Sequence, residues 1–279
     1  MTDAQQTRKA DAFRKMHDRS GVLLLPNAWD AVGARLAERA GFGAVATTSG
    51  GVAWTLGYAD GEAAPRDEVI ALTARIARAV SCPVTADLEA GYGANAAEVA
   101  ETIRMAIEAG VVGVNLEDST HAPHGLRPVA EAAGRIGAAR EAAMSAGVPI
   151  VINARVDTYA TGYGASDAER FDETVRRAKA YLAAGADCVF PIGLGDGRTL
   201  GALVKALDCP VNVAARPGIP PMSELAKLGV ARVSTATRLA SVAFGAMNDA
   251  MRAIRETGSF DCLGHGLDRG DLQGLFTAG

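Results

Sequence analysis

Short apolar, β-branched runs alternate with longer amphipathic stretches along the whole chain. The runs 22–28 (VLLLPNA), 44–49 (AVATTS), 83–89 (PVTADLE), 112–118 (VGVNLED), 150–157 (IVINARVD), 188–192 (CVFPI), 210–214 (PVNVA) and 231–236 (ARVSTA) predict strands. Helical patterns occupy 30–41, 66–80, 96–110, 130–147, 167–185, 197–207 and 222–229, with a longer one near 237–257. The segments AGFGAV, AGVVGV, AGVPIV, AGADCV and LGVARV recur just before strands, and each reads as a helix end, a glycine cap and the next strand. The strands are nearly continuous in apolar character, as parallel strands covered on both faces are. Eight such units without a break in composition predict an α/β fold, a single (β/α)8 TIM barrel over residues 1–279. A doubly wound sheet is the alternative, but LLLPNAWDAVGARLA, after the first strand, lacks the GxGxxG turn of such a sheet.

Composition narrows the partners. A length of 279 residues suits a barrel, and 49% hydrophobic residues can fill a large core. A net charge of −4 without a basic stripe argues against nucleic acid and against a charged membrane surface. No apolar run approaches the roughly 18 residues that span a bilayer. The opening MTDAQQTRKADAFRKMHDRS has no apolar signal-peptide core, so a soluble cytoplasmic protein is expected. Cysteines 82, 188, 209 and 262 form no CxxC pair and no zinc or disulfide spacing. They read as small buried hydrophobes.

In a TIM barrel the chemistry sits at the C-terminal strand ends. Those ends are polar here, while the strand starts are apolar. Strand alternation aims Asp87 and Glu89 the same way, and their mutual repulsion calls for a cation or ordered water. Glu117 converges from the next strand. These are hard oxygen donors, with no histidine or cysteine among them, which favours Mg²⁺ (or Mn²⁺) over zinc. Mg²⁺ keeps several waters, so one or two carboxylates need touch it. Arg155 can hold a carboxylate or phosphonate in bidentate fashion, with an ion pair to Asp157 or Glu117 as the structural alternative. The second strand ends in Thr47-Thr48-Ser49-Gly50-Gly51, a turn whose hydroxyls and N–H groups can receive an oxyanion. Together the parts suit an α-oxo acid, its enolate charge stabilised on a metal.

The words LPNAWDAVGARLAERAGFGAVATTSGG, LGYADGE, VTADLEAGYG, VNLEDS, INARVDTY and GADCVFPIG carry a resemblance over roughly residues 20–245. The chain resembles the isocitrate lyase/phosphoenolpyruvate mutase superfamily. The resemblance implies a (β/α)8 barrel whose last helix is exchanged between subunits of a homodimer or homotetramer, which the stretch 237–279 would supply. It implies Mg²⁺ and the making, breaking or rearranging of a C–C or P–C bond beside a small α-oxo or 2-hydroxy carboxylate, decarboxylation included. It makes Asp87 the direct metal ligand and Asp60, Glu89 and Glu117 carboxylates acting through metal-bound water. It gives Ser49, Gly50, Gly51 and Arg155 to the substrate. Asn212 is matched more loosely.

The chain also departs from its better-defined relatives. The stretch 119–128, STHAPHGLRP, has no cysteine where isocitrate and methylisocitrate lyases carry Lys-x-Cys-Gly-His. It begins EDS rather than the EDK of the mutases and lacks their loop asparagine. Strand 6 ends FPIG, without the mutases' histidine. The loop offers His121 and His124 instead, as candidate general acid or base. Phosphonate chemistry and a keto-acid binding protein without catalysis are the competing readings.

Overall fold

The computed structural model describes residues 3–121 and 124–277. Its strands are β1 Leu23–Leu25, β2 Asn27–Ala28, β3 Val45–Thr47, β4 Val84–Asp87, β5 Gly113–Glu117, β6 Ser119–His121, β7 His124–Leu126, β8 Val151–Arg155, β9 Cys188–Phe190, β10 Asn212–Ala214 and β11 Arg232–Ser234. Its α-helices are α1 Asp3–Lys15, α2 Ala31–Arg39, α3 Ser49–Leu56, α4 Arg66–Ala79, α5 Ala96–Glu108, α6 Val129–Ser145, α7 Asp167–Ala183, α8 Gly197–Ala206, α9 Met222–Lys227, α10 Arg238–Thr257 and α11 Arg269–Thr277.

Parallel pairings run in the order β2-β3-β4-β5-β8-β9 and β1-β11-β10. Val189 of β9 bridges Val211, just before β10, and β1 continues into β2 across Pro26, so the pairings complete a circuit. This is the expected α/β barrel. Pro26 lacks an N–H and splits the first strand in two. The remaining pair, β6 with β7, is an antiparallel hairpin on the rim.

The local signals are those read from the chain. Asp30, Asn95, Ser166 and Asp196 cap α2, α5, α7 and α8 by accepting from backbone N–H groups. Glycine follows the helix ends at left-handed φ, as at Gly110 (98°) and Gly185 (108°). Not anticipated were α3, α11 and the β6–β7 hairpin on the rim.

The floor of the barrel is sealed by α1. Phe13 is fully buried, and its ring approaches Gly113 so closely that a Cβ there would lie 2.7 Å from Phe13 Cε1. Gln6 donates to the carbonyls of Ile107 (2.6 Å) and Val111 (3.0 Å). Asp187 accepts from Arg14, from Arg140 (2.5 Å) and from the Ile152 amide (2.8 Å), tying α1, α6 and β8 together. At the other end of the chain, α10 and the segment after it leave Val242, Met247, Met251, Phe260 and Leu263 exposed. Among the described residues no helix is long and apolar enough to cross a membrane.

Candidate functional site

β4 delivers Asp87 to the rim, and the strand stops there. Glu89 lies in the turn beyond, at a left-handed φ of 51°. Strand alternation therefore does not aim these two side chains, and that expectation is corrected. Glu89 is brought back by its own bonds: it accepts from the Glu62 amide (2.8 Å) and from the Tyr92 hydroxyl (2.7 Å). Glu62 in turn accepts from the Tyr92 amide (2.6 Å). Glu62 (57°) and Tyr92 (51°) are left-handed too. Non-glycine residues in this region cost about 1 kcal/mol or more each, and such strain gathers at functional sites.

The Asp87 amide donates to Thr47 Oγ1 (2.8 Å), and Asp87 Oδ2 accepts a long bond from the Ser49 amide (3.4 Å). Asp87 Oδ1 is buried and has no hydrogen-bond partner among the described residues. Burial pushes this carboxyl above its usual range, the Arg155 charge opposes that, and the Asp60 charge adds to it. Burial also pushes Glu89 up to about 7, against the Tyr92 bond and with the charges of Asp60 and Asp87.

Ser49, Gly50 and Gly51 are not a turn, as expected from the sequence, but the first turn of α3, with Thr48 as the N-cap. The first N–H groups of a helix have no partner within it, and they sit at its positive end. A Cβ on Gly51 would lie 2.7 Å from Trp29 Cβ and 2.7 Å from Thr48 Cγ2, so glycine is required by close approach. A Cβ on Gly50 would lie 3.2 Å from Asp60 Oδ2, which places the exposed Asp60 over this helix end.

Arg155 is held from two sides. Its Nε and Nη2 donate to Asp157 (2.8 and 2.7 Å), and its Nη1 pairs with Glu117 Oε2 at 2.5 Å. The ion-pair alternative is thus realised, with both carboxylates at once. Among the described residues three of its five guanidinium N–H groups are used, leaving two for a further anion. Burial alone would lower the Arg155 pKa, but Asp157 and Glu117 outweigh it and keep the group protonated. Glu117 also accepts from Ser119 Oγ (2.5 Å). Burial raises its pKa against the pull of Arg155, and the Asp157 charge adds to the rise.

The two loop histidines separate. His121 Nε2 lies 3.7 Å from Glu89 Oε2 and 3.7 Å from Glu117 Oε1, with no hydrogen-bond partner among the described residues. His124 faces His121 across the hairpin but is exposed, with no bond to the carboxylates among the described residues. Residues 122 and 123 of this loop lie outside those described. Asn212 is fully buried and donates to Ser234 Oγ (3.2 Å). Its bonds among the described residues stay inside the barrel rather than reaching the acids.

The acids do not form a finished coordination sphere. Among the described residues no three His, Cys, Asp or Glu side chains are placed to hold one ion directly. The donors nevertheless fit a hard cation that keeps its water: among the described residues one buried carboxylate oxygen is orphaned at Asp87, while Glu89 and Glu117 are engaged in bonds of their own.

Several residues of this region escaped the sequence reading. Glu62 lies within LGYADGE, but nothing in one chain pairs it with Glu89. Arg232 is fully buried beneath the acids, with its Nε and Nη1 unbonded among the described residues and one long bond from Nη2 to Asn115 (3.4 Å). Burial lowers its pKa to about 10. Its only trace in the sequence is a charged residue opening the strand ARVSTA.

Residues 13–255 match the family model described as phosphoenolpyruvate phosphomutase. The chain belongs to this family. It is 32% identical over 253 residues to the 2-methylisocitrate lyase of Escherichia coli (strain K12), covering 87% of this chain and 82% of that one. It is 32% identical over 237 residues to oxaloacetate decarboxylase 2 of Pseudomonas fluorescens (strain Pf0-1), covering 82% and 77%. A solved structure from Burkholderia cenocepacia J2315, provisionally named a lyase/mutase, superposes with a TM-score of 0.91 at 38% identity, over 99% of this chain and 98% of that one. The superfamily relationship expected from the sequence is borne out, and so is the fold. The relatives are carbon–carbon lyases and mutases.

Proposed function

We propose that this chain is a Mg²⁺-dependent lyase that cleaves or forms a C–C bond in a small α-oxo or 2-hydroxy carboxylate through an enolate-like intermediate, decarboxylation included. The observation that carries the reading is the buried, unpartnered Asp87 oxygen beside the N-terminus of α3, with His121 Nε2 3.7 Å from both Glu89 and Glu117. The kinship with a 2-methylisocitrate lyase and an oxaloacetate decarboxylase supports it.

Asp87 would hold the cation directly, with Asp60, Glu89 and Glu117 on its waters. The cation's contribution when bound is Lewis-acid polarisation of the keto oxygen. The chain's own residues do the rest. The N–H groups of Gly50 and Gly51 face a substrate carboxylate at the positive helix end. The two free Arg155 N–H groups fix the substrate's orientation. His121 exchanges a proton with the reacting carbon or oxygen.

A second reading, P–C chemistry as a phosphonomutase or phosphonopyruvate hydrolase, is favoured by the description of the matching family model. The first test is calorimetric titration with oxalate, a mimic of the pyruvate enolate, with and without Mg²⁺. Metal-dependent binding that vanishes in Asp87→Ala is expected. Turnover is then assayed with oxaloacetate, malate-type acids and phosphonopyruvate. Phosphate release from the last would favour the second reading, binding without any product would favour a non-catalytic receptor, and no oxalate binding by the folded protein with Mg²⁺ would sink the enolate site altogether.

A further inference from the structure

The groups behind Arg155 form one connected buried set. Asp118 lies between β5 and β6, so its chain neighbours are Glu117 and Ser119. Its Oδ1 accepts from the Asp157 amide (2.9 Å). Its Oδ2 accepts from the Tyr181 hydroxyl (2.6 Å) and from Arg177 Nη1 (3.0 Å). Its carbonyl accepts from the Arg127 amide (2.8 Å), where the β6–β7 hairpin returns to the barrel. Arg177 Nη1 also donates to the Arg127 carbonyl (2.9 Å), and Arg177 Nε donates to Glu173 (2.7 Å). Asp118, Asp157, Arg177 and Tyr181 are 1%, 2%, 4% and 0% exposed. At that depth a half-satisfied network is expensive, so its geometry is nearly all-or-none.

We propose that Arg177 and Tyr181 on α7 are positioning residues of the site: acting through Asp118, they set the orientation of Arg155 and the seat of the hairpin carrying His121 as one unit. The Asp118 carboxylate holds the Asp157 amide directly, from which the Arg155 chelate follows, and through Arg177 Nη1 it holds the Arg127 carbonyl at the base of the hairpin. Neither residue touches the space between Asp87, Arg155 and His121. The functional sense of the coupling rests on the reading above, but the coupling itself does not.

The test compares Tyr181→Phe with the wild-type chain, an exchange that removes one O–H and little volume. Hydrogen exchange is followed in peptides covering 117–128 and 154–160, with α2 as the remote control. Both peptides are expected to exchange about tenfold faster while α2 is unchanged. Oxalate with Mg²⁺ is expected to bind about threefold to tenfold more weakly. Acceleration of one peptide alone, or of neither, overturns the coupling, as does a lowered melting temperature with both readouts unmoved. If the peptides accelerate together but oxalate affinity stays within twofold, the positioning role is overturned. Should the wild-type chain bind no oxalate, the proposed function fails while the exchange comparison still decides the coupling. Asp118→Asn, which cannot accept from Tyr181 and the Asp157 amide as the carboxylate does, repeats the test if Tyr181→Phe does not fold.

Discussion

Asp187 and Asp87 are both aspartates at the ends of the same barrel, and they are treated in opposite ways. Asp187, at the floor, is saturated by two arginines and a backbone amide. Among the described residues Asp87, at the rim, has one long bond on Oδ2 and none on Oδ1. Folding has no use for an orphaned buried carboxylate oxygen, which costs about 1–3 kcal/mol or more. A chain that completes one carboxylate and leaves the other open has separated structure from chemistry.

The sharpest way to break this comparison is to delete both acids in turn. Asp87→Ala should fold with unchanged or slightly raised urea stability, yet lose about a hundredfold or more of Mg²⁺-dependent turnover on whichever substrate is accepted. Asp187→Ala should lose about 2–3 kcal/mol of stability, because two arginines lose their partner, while the folded fraction keeps its oxalate affinity. If Asp87→Ala were instead the strongly destabilised variant, the contrast would be wrong.

Next in size is His121. His121→Gln should lower turnover about a hundredfold with oxalate affinity held within a few-fold, a split between chemistry and binding. Equal losses in both would make His121 a binding residue only.

The third prediction concerns pH. Glu89 is raised from 4.5 to about 7, and Asp87 and Glu117 are raised as well. The folded protein therefore binds more protons than the unfolded chain in this range, so metal-free stability falls as pH rises from about 4.5 through about 7. His17 works the other way below 6.5, because burial lowers it to about 4, but it is one group against three and is neutral in both states above 6.5. Urea midpoints at pH 5 and pH 7.5 should show the fall, and Mg²⁺ should reverse most of it at pH 7.5. A rise with pH, without metal, would contradict the buried acids. The smallest effect is expected at His124, where His124→Ala should change turnover by less than about twofold, as exposed substitutions do.

The barrel and most of its rim were legible in the sequence because they rest on local signals. The strand starts, the glycines at helix ends and the acids at strand ends are each readable within a few residues of themselves. What was not legible depends on partners far apart in the chain. Glu62 and Glu89 meet only because two loops fold over each other, and Arg177 meets Asp118 across 59 residues. Alternation carried the strand reading one turn too far at Glu89, since nothing in ADLEAGYG announces that the second acid has left the strand. The SGG segment reads as a turn because glycine has a poor helix propensity. Here the close approach of Trp29, not intrinsic preference, explains Gly51.

The plug formed by Phe13 and its neighbours has a consequence for traffic. The barrel interior is packed and its floor is shut, so the rim is the face from which a ligand reaches Asp87 and Arg155. Product must also leave by the way substrate came, past the hairpin of His121.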